Sequence, residues 1–124
     1  MLVSLLTPGE MAELDLVSES AACESLGMQF LSYPINDRCV PASTPEGLEF
    51  VRPRCQMRLE GRIVVINCRA GIGRASMIAA ATLVLEGGTP TAAWEMISSA
   101  RGCSVPDTAE QIAWVEQLHE IETR

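Results

Sequence analysis

Cys68 and Arg74 stand in C-x5-R spacing within RIVVINCRAGIGRASMI, residues 62–78. The β-branched apolar run Ile63, Val64, Val65, Ile66 leads straight into Cys68, and the intervening loop carries Gly71 and Gly73. An apolar helical pattern opens at Arg74. A glycine-bearing loop between a strand and a helix N-terminus can turn its backbone N–H groups inward and cradle an oxyanion. The helix dipole and the Arg74 charge both favour a thiolate at Cys68. A thiolate beneath a phosphate cradle is a nucleophile for phosphoryl transfer. Without that context, Cys68 would read as a buried cysteine at a strand end and Arg74 as a surface helix residue.

The elements that must hold these groups follow from local signals. Residues 2–6 read as a short buried strand. Thr7-Pro8-Gly9-Glu10 is a capping box with proline at N1, so a helix starts there. A second helix spans about 18–26 and ends at Gly27. A strand over 28–33 enters the loop 34–41, and Ser43-Thr44-Pro45-Glu46 caps a helix that Pro53 should kink or break. The strand over 62–66 and the helix over 74–86 follow. Thr89-Pro90 opens a helix to about residue 100, and Asp107-Thr108-Ala109-Glu110 reads as the capping box of the last one. Strands alternating with helices predict an α/β fold with a mostly parallel central sheet flanked by helices, in one domain over 1–124. Cys68 and the loop after Tyr33 then leave the sheet at the same carboxyl rim, where open α/β sheets bind ligands.

The net charge of −7 disfavours nucleic-acid binding. No stretch reads as a membrane span and no signal peptide is read at the start. All nine basic residues are arginine. Arg52, Arg54, Arg58 and Arg62 cluster, either as a solvated helix face or as a docking patch for substrate. Five cysteines without C-x-x-C pairs and a single histidine give no support for a metal site. A nucleophilic thiol that must stay free points to a reducing cytoplasm. His119 reads as a surface or boundary residue, and Trp94 and Trp114 as core.

The segments CRAGIGR (68–74), YPINDRCVP (33–41) and ARGCSVPDTAEQ (100–111) together resemble the cysteine-dependent protein tyrosine phosphatases of the compact dual-specificity type. The resemblance runs over nearly the whole chain. It implies a phosphotyrosine-phosphatase-like fold and a protein tyrosine or dual-specificity phosphatase that forms a cysteinyl-phosphate without a cofactor. Carried over by position, Cys68 is the nucleophile, Arg74 clamps the phosphoryl oxygens and Asp37 is the general acid. The loop Arg69, Ala70, Gly71, Ile72, Gly73, Arg74 binds the phosphate. For Asp37 the alternative is a plain turn residue in Asn36-Asp37. Gln111 resembles a glutamine that related enzymes hold near the hydrolytic water; the alternative is an exposed helix residue. Implied substrates are phosphorylated proteins or peptides and small phosphomonoesters.

The chain departs from the family pattern in three places. The usual one or two strands ahead of the segment matching 2–6 are not seen, so the sequence reads as either a minimal version or a truncated one, and in either case one sheet edge is expected to be open to association between copies. Asn67 replaces the usual histidine before the cysteine. Ala75 replaces the usual serine or threonine after the arginine, and so removes a hydroxyl that helps the sulfur leave the phosphoenzyme. These changes support a second reading, a phosphate-binding pseudophosphatase with little turnover. A low-molecular-weight phosphatase or arsenate reductase is disfavoured, because its loop lies near the N-terminus with the acid after it. A rhodanese-type sulfurtransferase is disfavoured by the loop's form. Cys39, two positions from Asp37, is either an unrelated loop cysteine or a disulfide partner for an oxidised Cys68.

Overall fold

Three parallel strands lie side by side in the order β2-β1-β3, with β1 over Leu2–Ser4, β2 over Phe30–Ser32 and β3 over Val65–Asn67. They belong to a computed structural model that describes residues 1–124. Leu2 pairs with Phe30 on one side and Val65 on the other, and Ser4 with Ser32 and Asn67. The three carboxyl ends are therefore level. The loops that leave them, toward Glu10, Asp37 and Cys68, start from one rim.

Six helices complete the fold: α1 (Pro8–Glu13), α2 (Glu19–Ser25), α3 (Thr44–Leu59), α4 (Arg74–Leu85), α5 (Pro90–Arg101) and α6 (Ala109–Glu122). The central one is α4, which packs against α3, α5, α6 and β3. Its Met77, Ile78, Ala80, Ala81 and Val84 are buried. They join Val3, Leu5, Phe50, Val51, Trp114, Val115 and Leu118 in the main core. A helix buried on almost every side needs a nearly all-apolar sequence, and residues 77–85 supply one. Trp94 packs at the core's margin, and His119 is half-buried.

Several elements differ in extent from the sequence reading. Pairing in β3 covers 65–67, not 62–66, because β1 offers partners only from its first residues. The Met1 amine donates to Ile63 O at 3.0 Å and Val65 N–H to Met1 O at 2.9 Å, and Ile63 is largely exposed. β1 and β2 are likewise shorter than 2–6 and 28–33. The helix α3 runs unbroken past Pro53. Proline removes one hydrogen bond and costs about 3 kcal/mol, whereas burying one large apolar side chain contributes about 1.5–3 kcal/mol. Phe50 and Val51 before Pro53, with Cys55 and Met57 after it, are all buried, so packing holds both halves in line. The last capping box is shifted by one residue: Thr108 is the N-cap and Gln111, not Glu110, is its N3 partner.

In the arginine cluster Arg52, Arg58 and Arg62 are exposed and Arg54 is half-buried. Arg52 pairs with Glu122 and Arg58 with Glu86, each at 2.6 Å, Arg62 donates to Gln29, and Arg54 lies over the Phe50 ring.

At the contact between α3 and α6, a Cβ on Gly47 would sit 2.6 Å from Trp114 Cζ2. Gly47→Ala gains helix propensity of about 1 kcal/mol but overpacks a buried ring, which costs about 1–3 kcal/mol. The variant is expected to unfold at lower urea concentration than wild type. An equal or higher midpoint would show that Trp114 moves aside freely.

Candidate active site

The carboxyl end of β1 leads through Leu5 and Leu6 into the start of α1. Thr7 Oγ1 accepts from Glu10 N–H at 3.3 Å, and Glu10 Oε1 accepts from Thr7 N–H at 3.1 Å. This reciprocal cap holds the Glu10 carboxylate at the rim. Arg74 Nη1 and Nη2 donate to its two oxygens at 2.6 and 2.8 Å. Arg74 also donates from Nη1 to Ile35 O at 2.8 Å. The guanidinium has five N–H donors in a fixed plane. Glu10 and Ile35 engage three of them, which leaves Nε–H and one Nη2–H. Arg74 is only 2% exposed and the Glu10 side chain 12%. The hydrogen bond to Arg74 holds the Glu10 carboxyl at about 2 against an ordinary 4.5, although burial opposes the shift. The same bond pushes Arg74 above its usual value.

Cys68 follows β3 and is half-buried. Gly71 N–H donates to its Sγ at 3.2 Å. Among the amides of residues 69–73, Gly71 alone has an acceptor within the protein. Gly71 has φ +73°, a left-handed conformation that suits glycine. Gly73 does not: its φ is −90°. Its requirement is close approach, because a Cβ there would run into the Asp107 carboxylate and lie 3.2 Å from Gln111 Nε2. Arg101, at the end of α5, braces the loop from outside. It donates to Ala70 O at 3.2 Å and packs against Gly71.

A cavity of about 150 Å³ opens over Cys68. Its walls are Asp37, Arg38, Arg69, Ala70, Gly73, Arg74 and Asp107. Five of the loop and nucleophile positions read from the sequence meet here: Cys68, Arg69, Ala70, Gly73 and Arg74. Gly71 lines an apolar groove behind the loop instead, and Ile72 lines neither space. The Arg69 side chain turns outward to pair with Glu13 at 3.0 Å. Asp37 Oδ1 approaches Arg74 Nη2 at 3.4 Å from an exposed turn. The next residue, Arg38, holds φ +63° and lines the same cavity. Cys39 does not line this cavity but an adjacent groove, with Val40, Pro41, Thr108 and Glu110.

Gln111 is fully buried and so is not the exposed helix residue of the sequence alternative. Its Oε1 accepts from Asp107 N–H and Thr108 N–H at 3.2 and 3.3 Å, and its Nε2 donates to Cys39 O at 3.3 Å. It ties α6 to the Asp37 loop. Asn67 donates to Glu19 on α2 at 3.4 Å. The Ser76 hydroxyl donates to Gly71 O at 3.2 Å, so it does not serve Cys68. Ala75 is buried. The sequence reading left Arg38 undecided between phosphate recognition and a plain surface role, and it missed Glu10, Arg101 and Asp107 as cavity residues or their braces. For Glu10 the capping box was the only local signal, and it gave no hint of Arg74.

No protein-family model and no curated protein matches the sequence. Solved structures do match in fold. Kinase associated phosphatase, with its catalytic-site cysteine changed to serine, superposes with a TM-score of 0.87 at 18% identity, over 98% of this chain and 69% of its own. Tk-PTP in its active form gives 0.79 at 28% identity, over 96% and 77%. PTPMT1 in complex with PI(5)P gives 0.82 at 19% identity, over 98% and 77%. The chain has the fold of the cysteine-dependent protein tyrosine phosphatase superfamily, built on three strands and six helices.

The Glu10–Arg74 pair has a definite pH signature. A carboxyl held at about 2 instead of 4.5 contributes about 3 kcal/mol of stability. That contribution is complete above the unfolded-state value and is lost as pH falls from about 4.5 through about 2. Glu10→Gln removes it and leaves a buried cation without its partner. Denaturant titrations of both proteins should show a gap of about 3 kcal/mol near neutral pH that closes through this acid window. A gap that stays constant into acid would mean that the charge of Glu10 is not what stabilises the fold.

Proposed function

We propose that the chain is a protein tyrosine or dual-specificity phosphatase that hydrolyses phosphomonoesters through a cysteinyl-phosphate. One observation carries the reading: Cys68 shares a small cavity with loop amides that lack protein acceptors, the ion-paired Arg74 and the carboxylate of Asp37. The fold neighbours are phosphatases of this type.

In the first step Cys68 Sγ attacks phosphorus as the ester oxygen leaves. The charge on the equatorial oxygens meets N–H groups already fixed in place, so little reorganisation is needed. Glu10 fixes the plane of the Arg74 fork, and its Nε–H and second Nη2–H serve the phosphoryl group. Asp37 protonates the departing oxygen, which accelerates departure by about 10²–10⁴-fold. In the second step water displaces the thiolate and releases inorganic phosphate. Phosphorylated proteins or peptides are the substrate class, with small phosphomonoesters as surrogates, and the free thiol suits a reducing cytoplasm. No helix is long and apolar enough to cross a membrane, and the net charge is −7.

The pseudophosphatase reading draws on one observation. The sulfur receives a single hydrogen bond, from Gly71 N–H, and neither Ala75 nor Ser76 offers it a hydroxyl. We read this as a slow second step.

Turnover of para-nitrophenyl phosphate tests the reading. Cys68→Ser should abolish it while thermal unfolding stays cooperative, and EDTA should leave the wild-type rate unchanged. More than a tenth of wild-type turnover in Cys68→Ser would end the assignment. The slow second step has its own test. A charge-assisted hydrogen bond is worth roughly 1.5–3 kcal/mol, or about 10–150-fold in rate. Rapid mixing should show a burst near one equivalent per site, and Ala75→Ser should raise the steady rate and shrink the burst. No burst and no effect of Ala75→Ser would make phosphoenzyme formation limiting.

A further inference from the structure

We propose that the groove beside the Asp37 turn docks the stretch of a phosphorylated peptide that flanks the phosphoryl group. It selects an acidic residue next to that group and a basic residue further along. This rests on the phosphatase reading above and narrows the substrate class of the same site to peptides of one charge pattern.

An open groove of about 670 Å³ adjoins the cavity over Cys68. Arg38 lines both spaces, so they form one continuous surface. Val40, Pro41 and Ala42 supply an apolar lining, and Thr108 and Glu110 come from the start of α6. The two walls are tied together. Gln111 Nε2 donates to Cys39 O at 3.3 Å, and Cys39 N–H donates to Asn36 O at 3.0 Å. A groove already fixed between two elements pays little ordering entropy when an extended chain enters it.

The charges of this surface are uncommitted. Among the arginines of the cavity wall, Arg74 is engaged by Glu10 and Asp37, and Arg69 by Glu13. Arg38 forms no ion pair, and neither does Glu110. Both residues are exposed. Arg38 stands where groove and cavity join, so its planar fork meets the carboxylate of an Asp or Glu next to the phosphorylated residue. Glu110 lines the groove but not the cavity, and it meets a Lys or Arg further from the phosphoryl group. The apolar lining suits an aliphatic side chain between the two. A small phosphomonoester would fill the cavity and leave the groove unused. The net charge of −7 repels an anionic bilayer, which favours a peptide over a lipid headgroup.

A set of phosphotyrosine peptides tests the pattern. Each carries Glu beside the phosphotyrosine, then Leu, then Lys, built in both chain directions, with Gln replacing Glu, Lys or both. Two quantities are read: kcat/KM of the protein with Cys68 intact, and the affinity of its Cys68→Ser form. In one chain direction, each replacement by Gln should cost about 2–5-fold, the size of an exposed ion pair. The loss should fall on KM rather than kcat and shrink as salt is added. Arg38→Asn keeps a residue that accepts the left-handed conformation, and it should erase only the preference for Glu. Glu110→Gln should erase only the preference for Lys. Equal rates for all peptides would overturn the proposal, as would preferences that survive both substitutions or an equal loss for every peptide in either variant. Faster turnover of a phosphatidylinositol phosphate in phosphatidylcholine vesicles than of the Glu-Leu-Lys peptide would overturn the choice of a peptide. Failure of the phosphatase reading would look different: the Cys68→Ser form would bind with the stated preferences while the protein with Cys68 turned over no peptide.

Discussion

A buried ion pair, Glu10 with Arg74, is the constraint on which the site depends. Arg74 sits at the first position of the most buried helix, where an unpaired charge would be expensive. Glu10 neutralises it from the start of α1, and Ile35 O satisfies another donor from the loop after β2. Three segments that leave three adjacent strands are thereby tied to one guanidinium. Removing either charge would leave the other buried, and such breakage costs about 3–5 kcal/mol. Arg74, to which the proposed function gives the clamping of the phosphoryl group, is thus also a structural pin, and its orientation is fixed by Glu10 and Ile35 within the protein itself.

Around this pin the nucleophile loop is braced on both sides. Arg101 holds Ala70 O from the end of α5, and the Ser76 hydroxyl holds Gly71 O from within α4. Both contacts use carbonyl oxygens. The amides are left to face the other way, where Gly71 N–H meets Cys68 Sγ. The other amides of residues 69–73 have no acceptor within the protein. The Asp37 turn is tied in separately, by the hydrogen bond from Gln111 Nε2 to Cys39 O, which joins it to α6. A preorganised cradle of this kind lowers a transition-state barrier without reorganising during the reaction.

Much of this was legible in the sequence because its signals are local. The apolar run into Cys68, the glycines and the helix that opens at Arg74 are contiguous, and caps marked the starts of α1, α3, α5 and α6. What was illegible depends on contacts between distant segments. Glu10 showed itself only as a capping partner, because nothing near it announces Arg74. Gln111 looked equally like an exposed helix residue, and only the shift of the cap from Asp107 to Thr108 reveals its burial. That same shift hid Asp107, which reads as a cap in the chain and faces the cavity in the fold. Residues 62–64 carry strand propensity, but the paired register ends at Val65. Pro53 breaks a local rule that the packing of Phe50, Val51, Cys55 and Met57 overrides.

The central claim is that Cys68 becomes covalently phosphorylated during turnover. The direct measurement is to mix the protein with substrate, denature it within milliseconds in detergent, and examine it by phosphorus NMR and peptide mapping. The account predicts a thiophosphate resonance and a single phosphorylated peptide that contains Cys68, both absent when Cys68 is serine. Turnover with no phosphate on the protein, or with phosphate on another residue, would contradict it.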